Sequence, residues 1–322
     1  MSPIRERAAG AKMMRRLLVG MGAAVVTGAS VLGAPAAIAH AHKPETVPAA
    51  SQSAPATATT GKPANAQPSA GLSAAAAAQL AQTMQSAVQS VSPGSQVGID
   101  VTDTTTGATL VGLNTGQQFY TASVVKLLIA LDEFNGQGWQ PDPEVADQMS
   151  QMLSASDDDI ADAFWDANGG NDIVTRMADL IGLKNTQPPA DPDEWGETLT
   201  TPQDVVAIYH YITTVVPQPS RGILMNALGA ADQTAADGTD QFFGIPDALT
   251  GDTWAIKQGW MTLDSSTTLD TTGLVGTGSG QPLRYAVVIL TTQPADTSWT
   301  TGGTALTDAV DPLRPVLDPK AS

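Results

Sequence analysis

A serine and a lysine stand three residues apart, Ser123 and Lys126, at the start of an apolar segment that runs to Leu131. The pattern predicts a helix, and residues three apart share a helix face, so Lys126 Nζ can reach Ser123 Oγ. A helix N-terminus and apolar surroundings both favour the neutral form of lysine. A neutral amine beside a hydroxyl is a general base beside a nucleophile, so this pair predicts covalent catalysis by serine without histidine.

Two segments downstream contain residues that could join this pair. The triplet that begins at Ser156 reads Ser-Asp-Asp, and the triplet that begins at Lys257 reads Lys-Gln-Gly. A Ser-x-x-Lys motif alone is weak evidence, so the prediction depends on the presence and order of all three motifs. Only four lysines follow residue 73, and two of them, Lys126 and Lys257, fall in the motifs.

The secondary-structure pattern predicts how these residues are positioned. Helices are expected at about 73–91, from Ser123 onward, over most of the stretch to 244, and at about 303–317. Strands are expected at 96–102, 109–113, 254–261, near 268–274, and at 284–290. We therefore predict an α/β (α+β) fold: a five-stranded antiparallel sheet flanked by terminal helices, with an inserted all-helical subdomain. A catalytic cleft is expected at the seam between the two parts.

The three motifs resemble the S-x-x-K, S-D-N and K-T-G set of the serine β-lactamase and penicillin-binding protein superfamily. The layout is most similar to class A β-lactamases, and the resemblance covers about residues 73–318. It implies that Ser123 is the acyl-accepting nucleophile and Lys126 its proton acceptor. Ser156 would relay the proton to the leaving nitrogen, and Lys257 would hold Ser156 and attract a substrate carboxylate. The backbone N–H groups of Ser123 and Trp260 would form the oxyanion hole.

The second and third motifs depart from the family pattern, although Gly259 is retained. Asp158 stands where the family usually has Asn, and Gln258 where it has Thr or Ser. With Gly259, these two residues are the expected substrate-binding positions. An ionised Asp158 would favour the ammonium form of Lys126 and repel an anionic substrate. Gln258 lacks the usual hydroxyl, although its amide could still donate a hydrogen bond.

Several of these residues also have a structural interpretation. A serine that precedes Asp-Asp-Asp and then apolar residues is typical of a helix N-cap, so capping is an alternative role for Ser156. Asp157 is expected to bond nearby backbone. His210, on a predicted helix far from the motifs, is expected to be packed or exposed rather than catalytic. No spacing of His, Asp or Glu resembles a metal site, so we expect no metal and no cofactor.

Hydrolysis of an acyl-enzyme needs a carboxylate that activates water, which a loop glutamate provides in class A enzymes. The corresponding loop, 187–197, is short and lacks the family's glutamate-to-asparagine pattern. Glu194 and Glu197 are candidates for this role by position alone.

The N-terminal region predicts export. Residues 1–42 combine a basic start, an apolar stretch and small-residue cleavage options, as in a signal peptide, although an uncleaved anchor is an alternative. Residues 43–72 are rich in Pro, Ala, Ser and Thr and predict a disordered linker before the domain at 73–322. The chain has no cysteine, which excludes disulfides and a lipid-modified cysteine within it.

The net charge of −17 argues against nucleic acid as a partner and against adsorption to anionic lipid. We therefore expect a secreted monomer, without membrane contact after cleavage, that acts on a small molecule or a peptidoglycan peptide. The resemblance implies a serine hydrolase or acyl-transferase acting on β-lactams or D-Ala-type peptides. A β-lactamase-like hydrolase is the favoured prediction, and a slow penicillin-binding or carboxypeptidase-like enzyme ranks second. The alternative is a non-catalytic module with a decayed site that binds a cell-wall component or a protein.

Overall fold

The computed structural model describes residues 72–318. The predicted signal peptide at 1–42 and nearly all of the predicted linker at 43–72 lie outside these residues, so the domain boundaries stay predictions. The helices are α1 (Ala74–Val91), α2 (Lys126–Gly136), α3 (Pro143–Ser154), α4 (Asp158–Ala167), α5 (Asn171–Ile181), α6 (Pro202–Thr214), α7 (Ser220–Gly229), α8 (Ile245–Ala248), α9 (Trp299–Val310) and α10 (Arg314–Leu317). Short 3₁₀ turns lie at Ala122–Val125, Trp195–Glu197 and Asp311–Leu313.

An antiparallel sheet forms the centre of the described region. Its strands are β1 (Gln96–Asp103), β2 (Ala108–Leu113), β5 (Thr253–Ile256), β6 (Gly259–Thr262), β7 (Ser266–Gly276) and β8 (Tyr285–Pro294). The order is β2-β1-β8-β7-β5, and β6 also pairs with β7. A separate two-stranded sheet joins β3 (Phe119–Tyr120) to β4 (Leu199–Thr200). The predicted fold class is confirmed: terminal helices, an antiparallel sheet and an inserted helical region.

The predicted count of five strands was wrong, because the expected strand at 254–261 is divided into β5 and β6. The break lies at Lys257 and Gln258. Lys257 N still donates to Thr272 O on β7, at 2.9 Å. Thr272 N, however, donates to the side-chain oxygen of Gln258, at 3.2 Å. A side-chain amide therefore replaces a backbone carbonyl at this step, and the regular ladder stops there.

The alternation of side chains along β8 divides the core into two layers. Ala286, Val288 and Leu290 are buried against the helical region that contains α2 and α6. Val287 and Ile289 point to the opposite face, where α1 and α9 pack. Both faces are apolar because each is covered by helices, so the sheet provides a rigid floor for residues at its edge. None of the helices within residues 72–318 is long and apolar enough to cross a membrane.

Strand β7 is buried along its whole length although it carries polar side chains. Asp270, at its middle, is fully buried. Its Oδ1 accepts a hydrogen bond from Thr291 N at 2.9 Å, whereas Oδ2 has no hydrogen-bond partner among the described residues. Burial raises the pKa of Asp270 well above its usual range, and the bond from Thr291 offsets this only in part. Burial therefore favours the protonated form of Asp270.

We expect Asp270→Asn to increase the free energy of unfolding at neutral pH. The unfolded chain loses the Asp270 proton near pH 3.8, whereas the folded chain keeps it to higher pH. Folding stability therefore falls as the pH rises through that window, and asparagine, which cannot ionise, removes this loss. Urea unfolding of both proteins between pH 3 and pH 8 measures the effect. A variant that is less stable than the wild type at pH 7, or that keeps the same pH dependence, would show that Asp270 is ionised.

Candidate active site

Ser123 lies in the buried 3₁₀ turn that connects β3 to α2. Thr121 N donates to Thr198 O, just before β4, and Val124 N donates to Thr121 O, both at 2.9 Å. The first bond holds the turn against the start of β4, and the second closes the turn. Ala122 has a φ of 41°, a left-handed conformation that is unfavourable for a residue other than glycine. Such strain is typical of functional sites, and here it presents Ser123 to the seam between sheet and helices.

Lys126 is the first residue of α2 and is fully buried. Its Nζ lies 2.7 Å from Ser123 Oγ, 3.2 Å from Ser156 O and 3.4 Å from Ser156 Oγ. Burial lowers the pKa of Lys126 from 10.5, although the nearby carboxylate of Asp158 opposes this. The predicted contact between the amine and the hydroxyl is thus present, in surroundings that favour the neutral amine.

Ser156 lies between the amines of Lys126 and Lys257. Its hydroxyl is 2.9 Å from Lys257 Nζ, and Lys257 Nζ also donates to Gln258 O at 3.0 Å. Lys257 is almost completely buried, and burial together with the charge of Lys126 lowers its pKa well below 10.5. The structure therefore brings Ser123, Lys126, Ser156 and Lys257 into one chain of hydrogen bonds.

The predicted N-cap role of Ser156 was wrong. Ser156 has a φ of 53° and precedes the cap, and Asp157 caps α4 by accepting a hydrogen bond from Ile160 N at 3.1 Å. This is the backbone contact expected for Asp157. The left-handed backbone at Ser156 turns its side chain towards the two lysines instead of along the helix.

Asp158 begins α4 and bonds Lys126 directly. Its Oδ1 lies 2.5 Å from Lys126 Nζ, and its side chain is 59% exposed. The interaction expected from the sequence, an acidic group that opposes the loss of the lysine proton, is therefore present. Because the carboxylate is open to solvent, it also faces whatever enters the cleft.

Gln258 does not reach the cleft, contrary to the expectation that its amide would donate to a substrate. The side chain is fully buried, and its Nε2 donates to Phe243 O at 2.5 Å and lies 3.4 Å from Gln241 O. Its oxygen accepts from Thr272 N. The amide nitrogen joins the strand break to residues 241–243 and the amide oxygen joins it to β7, so both polar atoms are engaged in the interior.

Gly259 and Trp260 place β6 directly against the turn that carries Ser123. A Cβ atom on Gly259 would lie 2.7 Å from Thr121 O and 3.3 Å from Ala122 Cβ, so only glycine permits this approach. Trp260 is mostly buried, packs edge-on against Phe243, and donates from Nε1 to Asp237 Oδ2 at 2.9 Å. The two segments that carry the expected oxyanion-hole donors are thus in contact.

The two glutamates proposed for deacylation flank Trp195. Glu194 is exposed and precedes the 3₁₀ turn, and Glu197, half-buried, ends it. Within residues 72–318, the carboxylate that forms an ion pair with Lys126 is that of Asp158. The ring of Trp195 lies over Lys126 Nζ, 4.6 Å from its centroid. Trp195 Nε1 donates to Asp162 Oδ1 at 2.7 Å, which fixes the ring in this position.

Comparison with known proteins identifies the family. No established sequence-family profile matches the chain. A curated relative from Mycobacterium bovis and Mycobacterium tuberculosis, "Putative lipoprotein LppW", is 34% identical over 239 residues, which are 72% of this chain and 73% of the relative. This chain belongs to the LppW family. The word "lipoprotein" in that name refers to the relative.

Solved structures similar to this LppW-family chain show the fold. A β-lactamase from Desulfarculus baarsii superposes with a TM-score of 0.60 at 19% identity, covering 77% of this chain and 99% of that chain. A PBP-A variant, solved as the acyl-enzyme complex with penicillin G, gives 0.59 at 20% identity, with coverages of 75% and 97%. The resemblance to the serine β-lactamase and penicillin-binding protein superfamily is therefore confirmed at the level of the fold.

Sequence reasoning missed two residues of the site in this LppW-family chain, Trp195 and Asp237. Asp237 contributes charge to both Lys126 and Lys257, raising their pKa values against the effect of burial. Both missed residues lie in connections between helices or strands, where no periodic pattern predicts which side chain points inward. His210, by contrast, is exposed on α6 as expected. No cluster of three acidic or histidine side chains within residues 72–318 could hold a metal ion.

Proposed function

We propose that this chain is a serine hydrolase or acyl-transferase that forms an acyl-enzyme at Ser123. The observation that carries the proposal is the distance of 2.7 Å between Lys126 Nζ and Ser123 Oγ, in a site where burial lowers the pKa of the lysine. Fold alone does not define an activity, so the proposal depends on this geometry rather than on the neighbours.

Acylation follows from the positions of the four polar groups. The neutral amine of Lys126 takes the proton of Ser123 as Oγ attacks the acyl carbon, which gives a tetrahedral oxyanion and an ammonium group. Asp158 stabilises that ammonium. Collapse of the intermediate breaks the bond to the leaving group, which receives a proton from the Ser156 hydroxyl. The Lys126 ammonium then reprotonates Ser156, 3.4 Å away, which restores the neutral amine and leaves acyl-Ser123.

The oxyanion would be bound by the backbone N–H groups of Ser123 and Trp260. The contact between Gly259 and Thr121 O supports this arrangement, because it holds the two segments side by side. Preorganised donors of this kind are worth about 10²–10³ in rate each.

Hydrolysis of the acyl-enzyme is expected to be slow. The aromatic ring of Trp195 covers Lys126, and the one carboxylate bonded to the base is that of Asp158. A water activated by Asp158, with Glu194 or Glu197 as the alternatives, would have to approach past this ring. The behaviour we propose is therefore closer to a slow, acyl-accumulating enzyme than to a fast β-lactamase.

The resemblance supports β-lactams or D-Ala-type peptides as acyl donors, and a location outside the cytoplasm. The export-type residues at 1–42 and the name of the LppW relative both support the location. The 322 residues contain no cysteine, so lipid on a cysteine of this sequence is not part of the proposal.

A non-catalytic binding module is the second candidate. The observation that favours it is the contact of 2.5 Å between Lys126 and Asp158, because a carboxylate at that distance stabilises the ammonium form, which cannot accept a proton. In this case the fold would be retained as a scaffold that binds a cell-wall component or a protein.

Intact mass spectrometry distinguishes the two candidates. The protein and its Ser123→Ala variant are each incubated with penicillin G and, separately, with the neutral ester p-nitrophenyl acetate. We expect a mass increase of one acyl group on the wild type within hours and none on the variant. Nitrocefin turnover then separates hydrolysis from accumulation, and a persistent adduct without colour change is expected. No adduct from either probe would contradict the proposal and favour the binding module.

A further inference from the structure

Within residues 72–318, no exposed cation forms an ion pair with the carboxylates of Asp158 and Asp237 near Ser123. Asp158 is largely exposed beside the base, and Asp237, also exposed, acts on both site lysines. The basic residues within residues 72–318 other than Lys126 and Lys257 form no ion pair with Asp158 or Asp237. These are Arg176 with Asp132, Arg284 with Asp103, Arg221 with Thr213 O, Arg314 with Ala248 O, and the exposed Lys184.

The two site lysines do not reverse this balance. Both are buried, and their amines share the Ser156 hydroxyl, so protonation of one disfavours protonation of the other. If Lys126 is the protonated lysine, its charge is balanced by Asp158 at 2.5 Å, and the negative charge of Asp237 remains unbalanced. If both amines are neutral, Asp158 and Asp237 both remain unbalanced. The cleft is therefore negative in either state.

One group that was expected to receive a substrate carboxylate, the side chain of Gln258, does not face Ser123. Gln258 occupies the position of the expected hydroxyl, but its amide is bonded to Phe243 O and Thr272 N in the interior. Two tryptophan rings lie near the amines of the site lysines. The Trp195 ring lies 4.6 Å from Lys126 Nζ, and the Trp260 ring lies 5.7 Å from Lys257 Nζ. Carboxylates combined with tryptophan rings are the surroundings that ammonium groups prefer.

We infer that the Ser123 site prefers acyl donors that carry a cationic, ammonium-type group and discriminates against donors that carry a carboxylate, with Asp158 and Asp237 as the residues that set this preference. The inference rests on the proposed acyl-enzyme function and narrows its substrate class. Among the proposed acyl donors, it ranks penicillins and D-Ala-terminated peptides that carry a free carboxylate below donors that carry an ammonium group. Penicillin G would then label Ser123 slowly, and an ester with a quaternary ammonium group would label it faster.

A matched series of p-nitrophenyl esters tests the inference. The cationic ester carries 4-(trimethylammonio)butyrate, the neutral one 5,5-dimethylhexanoate, which has the same shape, and the anionic one glutarate. The second-order rate constant for acylation of Ser123 is measured from nitrophenolate release, after the release in the presence of the Ser123→Ala variant has been subtracted. We expect the cationic ester to react about ten-fold or more faster than the neutral one, and the anionic ester to react slowest. The differences should shrink as ionic strength increases.

Variants assign the preference to its residues. Asp237→Asn keeps an oxygen that can accept from Trp260 Nε1, and removes the charge. It is expected to lower the ratio of the cationic to the neutral rate several-fold. Asp179→Asn is the matched control, because Asp179 is exposed on α5 and acts on neither lysine, and it should leave the ratio unchanged.

The outcomes separate this inference from the proposed function. If none of the esters acylates Ser123, the proposed function itself fails. If Ser123 is acylated but the anionic ester reacts as fast as the cationic one, or if Asp237→Asn leaves the ratio unchanged, the acyl-enzyme stands and the charge preference is wrong.

Discussion

Replacing Lys126 by methionine is expected to reduce acylation of Ser123 by about 10²–10⁴-fold, the usual contribution of a general base. Methionine fills the buried volume of the lysine stem but cannot accept the proton of Ser123 Oγ, which lies 2.7 Å from the amine in the native protein. The measurement is the rate of nitrophenolate release from a neutral ester, together with the mass of the adduct.

The same variant should not unfold the protein. Because burial lowers the pKa of Lys126, the unfolded chain binds its proton more readily than the folded chain in the pH range below 10.5. Folding stability therefore rises with pH through that range, and the variant should lose this dependence and be at least as stable near pH 7. Asp158, left without its partner, remains solvated because its side chain is 59% exposed.

Lys184→Met is the matched control, because Lys184 is exposed and lies outside the site. It should leave acylation unchanged. The rate of acylation of the wild type should increase with pH as the Lys126 amine loses its proton, and the midpoint of this increase should lie below pH 10.5. A Lys126→Met variant that is acylated as fast as the wild type would show that another group, such as Asp158, takes the serine proton.

Replacing Gly259 by alanine is expected to reduce acylation by about 10²–10³-fold, the cost of losing one oxyanion-hole donor. The added Cβ would lie 2.7 Å from Thr121 O, so either β6 or the turn that carries Ser123 must move. The movement separates the N–H groups of Ser123 and Trp260. It should also lower the free energy of unfolding by about 1–3 kcal/mol, as overpacking usually does. Acylation rates and urea unfolding measure the two effects.

Gly136→Ala provides the control for this substitution. Gly136 is the last residue of α2, and a Cβ there would meet no atom within 4 Å. This variant should keep full acylation and be as stable as the wild type or slightly more so, because alanine favours helix. Normal acylation by Gly259→Ala would show that the contact between β6 and the turn does not position the donors.

The sequence was sufficient to predict the pair of Ser123 and Lys126, because a separation of three residues on a helix is a local relation. The contact of Ser156 with Lys257 spans 101 residues, and only the family resemblance could predict it. The fold class followed from the order of strand and helix patterns. The broken strand did not, because it depends on a side-chain contact between Gln258 and Thr272 that no periodicity encodes.

The orientation of single side chains was the part that the sequence could not predict. Gln258 was expected to face the cleft, and it is turned inward because Phe243 O offers its amide a hydrogen bond in the interior. Ser156 was given an alternative role as a helix cap, which Asp157 performs instead. Trp195 reaches the base from an irregular loop, and its place is fixed by a bond to Asp162 that depends on the tertiary fold.

The hydroxyl of Ser156, held between two buried amines, has a consequence for how the site takes up protons. Because the charge of Lys126 lowers the pKa of Lys257, the two lysines form one coupled acid with two macroscopic titration steps. A nitrogen-15 resonance from either side chain would then follow both steps, and chemical modification of one amine would shift the titration of the other. The pair can therefore pass a proton from one amine to the other through the Ser156 hydroxyl, without exchange with bulk water.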